Sequence, residues 1–209
     1  GFRLTLAITL PAAIGLGRLA DPILRVLFQW GRFGGEDVIQ ASKVLFVSVA
    51  ALPFYALSAY LVKAFHARKQ MKPPLVAGIF SFAVNLGLSL FLMNRYGVIG
   101  LAWANVGASC AQALILILLF KNVSPWSYFK VSPFYLLSII LSSVGMAGAI
   151  YFLEPLVMTD DSLSRSLWGL GLLIPAGVLT QCSLLFFLGF PEVRAGVGKI
   201  SKSLRKLLG

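Results

Sequence analysis

The stretch LLSIILSSVGMAGAIYFL, residues Leu136–Leu153, decides the fold class of this chain. It carries no charged residue, and its length approaches the roughly 20 apolar residues that a helix needs to cross a bilayer. A transmembrane strand would have about ten residues of alternating polarity. In lipid, the backbone groups must pair with one another, which a helix achieves within a single segment. The stretch therefore predicts a membrane-spanning helix.

Similar runs recur along the whole chain. Five are uncharged: Val44–Val62, Pro74–Asn94, Tyr96–Phe120, Val131–Leu153 and Ser166–Pro191. A sixth run, Leu4–Phe28, is apolar except for three charged residues. We predict an all-α integral membrane protein whose residues 1–191 form six transmembrane helices, at about 4–28, 40–65, 74–94, 98–120, 132–153 and 166–189.

The composition excludes several classes of protein. Of the 209 residues, 58% are hydrophobic and 12% are charged, against about 25% charged in soluble domains. The net charge of +11 does not indicate nucleic-acid binding, because the basic residues lie in the gaps between apolar runs. Cys110 and Cys182 lie inside apolar runs, and the chain has a single histidine. We therefore expect no metal site, disulfide framework or cofactor.

Lysine and arginine counts predict the orientation. One side of the membrane would hold eleven of them: Arg3, Arg68, Lys69, Lys72, Lys121, Lys130, Arg194, Lys199, Lys202, Arg205 and Lys206. The other side would hold three: Arg32, Arg95 and Arg165. Basic residues concentrate in cytoplasmic segments, so both ends of the chain are expected in the cytoplasm.

Residues 192–209 form a separate element. Val193, Val197, Ile200 and Leu204 recur at helical spacing among basic residues. This pattern predicts a short basic amphipathic helix on the cytoplasmic leaflet. It would serve as a topology anchor or as a lipid-regulated switch.

Charged residues within the first span are the first candidate site. Arg18, Asp21 and Arg25 share one face of the first helix, where Asp21 can neutralise one arginine and leave one net positive charge. Pro22 lies within this span, so a kink is expected there. They could line a cavity for an anionic substrate. Alternatively, they lie near the outer interface and extend to the headgroups.

Polar stripes on the third and fourth spans are the second candidate. The two stripes are Ser81, Asn85 and Ser89, and Asn105, Ser109 and Gln112. They could hydrogen-bond between helices, or Asn85, Asn105 and Gln112 could line a cavity.

Catalysis would need a base beside a nucleophile or clustered acids, and neither is present. Besides a transporter, the remaining classes are a prenyl-lipid enzyme and a structural membrane subunit.

Three motifs resemble the MurJ/MviN family of lipid II flippases, in the superfamily of multidrug, oligosaccharidyl-lipid and polysaccharide exporters. They are LPAA at 10–13 with LFQWGRF at 27–33, KAFHARKQMKPP at 63–74, and YGVIGLA at 96–102. The sequence departs from the family pattern at His66, Gln70 and Pro73, all in one cytoplasmic connection.

The resemblance implies that these are the last six of fourteen helices. The chain begins at Gly1 and its first methionine is Met71, which agrees with a C-terminal piece. The family moves lipid II, a peptidoglycan precursor linked to undecaprenyl diphosphate, across the bacterial inner membrane by alternating access. The partners would be lipid II, membrane lipids and the missing N-terminal helices, where the main cavity arginines lie. The alternative is a polysaccharide-lipid or multidrug exporter of the same superfamily.

The resemblance also implies a groove for the long lipid tail, formed by the last two helices. Phe152, Phe186 and Phe187 are available to line it. The alternative for these residues is ordinary surface in contact with membrane lipid.

Overall fold

The computed structural model describes residues 2–28, 34–121, 133–157 and 163–189, and these residues are almost entirely helical. These described residues form eight α-helices: α1 (Phe2–Arg18), α2 (Ala20–Phe28), α3 (Gly35–Ser48), α4 (Leu52–Ala67), α5 (Lys72–Tyr96), α6 (Val98–Lys121), α7 (Pro133–Val157) and α8 (Leu163–Phe187). Within the described part of the chain, five continuous helical segments are long and apolar enough to cross a membrane, and the bent pair α1–α2 makes a sixth if it forms one span. The predicted all-α membrane fold is confirmed. The predicted tail helix at 192–209 lies outside the described residues.

The first span is broken into two helices, close to Pro22, where the sequence predicted a kink. The axes of α1 and α2 differ by 66° across the break at Leu19. Pro22 explains the position, because a proline lacks the N–H that would bond to the carbonyl four residues earlier, here that of Arg18. Arg18 therefore belongs to α1, while Asp21 and Arg25 belong to α2. The expectation that the three share one helical face is wrong.

The second span runs without a large bend from Gly35 to Ala67. Its middle tightens into a 3-10 turn at Val49–Ala51, which ends two residues before Pro53. This proline also lacks the N–H that would bond to the carbonyl four residues earlier. Here the lost hydrogen bond is accommodated by a local 3-10 turn, and the helix continues in nearly the same direction.

The turn between α5 and α6 depends on two glycines of the YGVIGLA motif. Gly97 has φ +57° and ψ −135°, a conformation that residues with a Cβ rarely adopt. Gly100 is buried, and a Cβ there would collide with the carbonyl group of Leu92. This close backbone approach lets α5 and α6 pack along their length as an antiparallel pair.

Helix α1 lies at the centre of the packing. It contacts α3 and α4 on one side and α7 and α8 on the other. Helix α6 packs against α3, α4 and α5, whereas α5 contacts little besides α6 and α4. Helix α7 continues through Glu154 to Val157, beyond the end of the span predicted at 132–153. This extension brings an acidic side chain close to the end of α1.

Candidate functional site

An open apolar groove runs along α1 where α7 and α8 pack against it. Its volume is about 440 Å³. Its lining consists of Leu4, Ala7, Ile8, Pro11, Ala12, Gly15, Leu16, Leu19, Ile23, Met146, Ile150, Leu173, Ile174, Gly177, Val178, Gln181, Cys182 and Leu185. Apart from Gln181 and Cys182, every lining side chain is apolar or absent, so the groove suits a hydrocarbon chain.

Close packing at both ends shapes the groove. Near one end, Ala7 of α1 packs with Ile139 and Leu185 of the last two helices. Near the other, Leu19 packs with Met146, Ile150 and Leu173. Because buried contacts hold the three helices at both ends, the space between them is bounded by packed side chains.

Small residues bring the helix backbones together beside the groove. A Cβ on Gly177 would lie 3.3 Å from Cδ1 of Ile150, and one on Gly15 would lie 3.5 Å from Cε of Met146. Helices in membranes approach closely where side chains are small. Glycine at these two positions therefore sets how near α7 comes to its neighbours.

Gln181 is the polar feature of the groove wall. Its side chain is buried, with 7% exposed, and its Nε2 donates to Oγ of Ser142 at 3.0 Å. The Ser142 hydroxyl itself donates to the Ile139 carbonyl oxygen at 3.0 Å. The Oε1 atom of Gln181 is buried without a hydrogen-bond partner. The sequence analysis did not single out Gln181, although a lone glutamine within an uncharged run was a signal for it.

The charged candidates of the first span are paired with acids. Nε of Arg25 donates to Oδ2 of Asp21 at 2.6 Å. Nη2 of Arg18 lies 2.9 Å from Oε2 of Glu154, and its guanidinium lies 5.1 Å from the ring centroid of Tyr151. The expected surplus positive charge is therefore wrong, because Glu154 supplies a second acid.

The polar candidates on α5 and α6 make separate contacts. Oδ1 of Asn105 accepts from the Tyr55 hydroxyl of α4 at 2.5 Å. Oδ1 of Asn85 accepts from Ser89 on its own helix at 3.4 Å, and Gln112 is half-buried on α6. None of the six charged and polar candidates belongs to the groove lining.

The three phenylalanines also lie outside the groove lining. Phe152 is 74% exposed, Phe186 40% and Phe187 81%. Adjacent aromatic rings meet edge to face on the outer surface, as in the Phe186–Phe187 pair with centroids 6.2 Å apart. The structure thus separates these side chains from the groove with which the sequence analysis associated them.

Comparison with known proteins gives consistent matches. Residues 1–171 match the family model described as "Lipid II flippase MurJ". A protein of Bdellovibrio bacteriovorus named "Probable lipid II flippase MurJ" is 30% identical over 192 residues, covering 92% of this chain and 36% of that protein. A protein of Rhizobium tropici with the same name is 30% identical over 209 residues, covering 96% of this chain and 38% of that protein.

A solved structure has the same fold. It is titled "Lipid II flippase MurJ, inward closed conformation", and it matches with a TM-score of 0.73 and 29% identity. The match covers 89% of this chain and 37% of that one. The chain thus spans somewhat more than a third of the length of these relatives.

Proposed function

Because this chain belongs to the MurJ lipid II flippase family, we propose that it forms the last six membrane-spanning helices of a lipid II flippase. The family consists of transporters and not of enzymes. The observation that carries the proposal is the family match over residues 1–171, supported by the shared fold. The complete protein would move the lipid-linked peptidoglycan precursor from the inner to the outer leaflet of the bacterial inner membrane by alternating access.

This part of the protein contributes little charge for holding a diphosphate. Both arginines of the first span have acidic partners, Asp21 for Arg25 and Glu154 for Arg18. A paired arginine attracts an anion less than a free one, because the adjacent carboxylate offsets its charge. We therefore assign the main diphosphate contacts to the N-terminal helices of the complete protein.

The groove along α1 is the part of this chain best suited to the substrate. A polyprenyl tail is a flexible hydrocarbon, and the groove is lined by aliphatic side chains. We assign the tail to this groove and not to the exposed faces of Phe152, Phe186 and Phe187. The Tyr55–Asn105 hydrogen bond joins α4 to α6, so we assign Asn105 a role in helix packing.

Both ends of the chain would lie in the cytoplasm. The charge distribution supports this orientation, because the basic Lys63–Lys72 segment carries four lysine or arginine residues and no acid. Single-cysteine variants at Lys69 and at Gly35 test it with a membrane-impermeant maleimide on intact and opened cells. Lys69→Cys should react only after the cells are opened, and Gly35→Cys should react in both. The reverse pattern would contradict the orientation.

Genetic complementation tests the function. The full-length gene is expressed in bacteria whose own lipid II flippase is depleted, and growth is followed together with the fraction of lipid II accessible from outside the cell. Rescue of both is expected. Failure of a stably inserted protein to restore either would contradict the proposal and favour a polysaccharide-lipid or drug exporter.

A further inference from the structure

We propose that the start of α5 and the turn before it bind an anionic phospholipid of the membrane. The headgroup phosphate would lie at two lysines and an acyl chain along three apolar side chains, a set that we call the α5 lipid face: Lys69, Lys72, Leu75, Val76 and Ile79. The inference rests on the proposed function only for the orientation, which places this face at the cytoplasmic leaflet. It adds a bound lipid that is distinct from the transported substrate.

One stripe of α5 places a cation above apolar side chains. Lys72 lies in the first turn, and the three apolar residues follow it at i+3, i+4 and i+7, so all four share one side of the helix. Lys72 is exposed, and Leu75, Val76 and Ile79 are 64%, 55% and 63% exposed. Among the described helices, α5 packs on α6 and contacts α4 slightly. The stripe therefore matches a phospholipid, with phosphate at the interface and hydrocarbon beneath it.

The counter-charge for these lysines is missing from the surrounding chain. Between Asp37 and Glu154 the sequence has no aspartate or glutamate, while Lys63–Lys72 alone carries four lysine or arginine residues. Within the described part of the chain, Lys69 and Lys72 take part in no ion pair. Anionic headgroups attract basic segments at the cytoplasmic surface of a membrane, so a lipid phosphate supplies the charge that the protein lacks here.

The turn before α5 holds Lys69 in a fixed and strained conformation. Lys69 has φ +57°, where glycine is less strained, and its N–H donates to the carbonyl of His66 at 2.9 Å. The N–H of Gln70 donates to the carbonyl of Phe65 at 3.0 Å. Strained backbone of this kind is concentrated at ligand sites. A lysine at a position that suits glycine is consistent with a side chain retained for binding.

Buried aromatic rings support this turn. Phe65 is fully buried and meets Phe120 of α6 edge to face, with ring centroids 5.2 Å apart. The guanidinium of Arg68 lies 5.3 Å from the centroid of the Phe120 ring. Because the base of the turn is packed, little backbone freedom remains to be lost when a headgroup binds.

The depth of the α5 lipid face favours a lipid over a soluble acidic protein. Helix α5 is a membrane span from Lys72 to Tyr96, so Leu75 and Ile79 lie on its membrane-embedded surface. A partner that reaches both the lysines and these side chains carries an anion and a hydrocarbon chain together. The face is also separate from the groove assigned to the polyprenyl tail, since that groove is formed by α1, α7 and α8.

Photocrosslinking of the full-length protein tests the proposal. Nanodiscs of phosphatidylcholine contain equal small amounts of two photoactivatable probes, phosphatidylglycerol and phosphatidylcholine with the same diazirine acyl chain. Mass spectrometry measures the ratio of the two adducts at residues 75–79. We expect phosphatidylglycerol to exceed phosphatidylcholine more than tenfold, because each basic residue near an anionic headgroup contributes about fivefold in affinity.

Three variants complete the experiment. Lys69→Gln and Lys72→Gln should each lower the ratio about fivefold, and the double Lys→Arg variant at these positions, which keeps both charges, should preserve it. Arg95→Gln is the matched control, because Arg95 is an exposed cation at the opposite end of α5, with its guanidinium 5.2 Å from the centroid of the Phe91 ring. It should leave the ratio at residues 75–79 unchanged.

Several results would overturn the lipid site. These are equal labelling by the two probes, a preference that survives both Lys→Gln substitutions, an equal fall in Arg95→Gln, and no labelling of residues 75–79 by either probe. Loss of the preference on adding soluble glycerophosphoglycerol would overturn the contribution of the apolar stripe. Both leaflets of the nanodisc have the same composition, so these results do not depend on the orientation or on transport. Maleimide labelling and complementation test those two proposals separately.

Discussion

Nη2 of Arg18 lies 2.9 Å from Oε2 of Glu154, and this ion pair joins the break in the first span to the last turns of α7. The two residues are 136 positions apart, so the contact depends entirely on how the helices pack. The side chains are 42% and 26% exposed, and Arg18 also lies over the ring of Tyr151. The pair therefore closes one end of the α1–α7 contact without being deeply buried.

Breaking this ion pair should have a small and specific effect. Arg18→Gln and Glu154→Gln are each expected to lower the free energy of unfolding by about 0.5–1 kcal/mol, because solvent and headgroups screen a partly exposed pair. In the double variant the second substitution should cost less than it does alone. Thermal unfolding of the purified full-length protein measures this coupling, and strictly additive losses would contradict the pairing.

The α5–α6 turn should not tolerate a methyl group at its closest point. Gly100→Ala places Cβ against the Leu92 carbonyl, so the backbones must separate, and we expect a loss of about 1–3 kcal/mol. Gly87→Ala is the matched control, because a Cβ at this position of α5 meets nothing within 4 Å. Unfolding temperatures of the two variants should fall clearly for Gly100→Ala alone. Equal temperatures would mean that the close approach is unimportant for stability.

Just after α4, the backbone of Lys69 has a left-handed conformation that is less strained for glycine. Lys69 has φ +57°, and it ends α4 with its N–H bonded to the carbonyl of His66 at 2.9 Å. Lys69→Gly should raise stability by up to about 1 kcal/mol, because a side chain in the left-handed region is strained. Lys69→Ala removes the charge and keeps the strain, so it should not give this gain. A gain of the same size in both variants would assign the effect to charge.

Filling the groove should reduce transport without unfolding the protein. Ala12 is an exposed lining residue of α1, and Ala12→Phe should occupy space that the lipid tail needs. Val144→Phe adds similar bulk to an exposed position of α7 outside the lining. In the complementation assay, we expect at least a tenfold lower plating efficiency for Ala12→Phe and normal growth for Val144→Phe, at equal protein levels. Full activity of Ala12→Phe would remove the groove from the tail pathway.

Phe187→Ala distinguishes the two candidate sites for the lipid tail, the groove along α1 and the exposed phenylalanine surface. The sequence analysis offered this residue either as lining for a tail groove of the last two helices or as lipid-facing surface, and in the structure its side chain is 81% exposed and outside the lining of the α1 groove. Activity in the complementation assay should therefore be unchanged. A loss comparable to that of Ala12→Phe would return the tail site to the aromatic surface.

The sequence by itself determined that the chain is an all-α membrane protein, and it located the family motifs, among them the YGVIGLA motif that holds Gly97 and Gly100. Length and hydropathy decide this, since a segment of about 20 apolar residues has one stable form in lipid. The same runs do not reveal which face of each helix packs. In a membrane, the side chains that touch lipid are as apolar as those that touch other helices, so no amphipathic pattern separates them.

Tertiary structure alone decided the composition of the groove. Phe152, Phe186 and Phe187 belong to runs as apolar as those of the lining residues, yet the rotation of α7 and α8 about their axes turns these rings outward. The same packing pairs Arg18 with Glu154 and leaves the acceptor of Gln181 without a donor. Such contacts join residues that are distant in sequence, so they are fixed by helix rotation and proximity, which the hydropathy of a single segment does not contain.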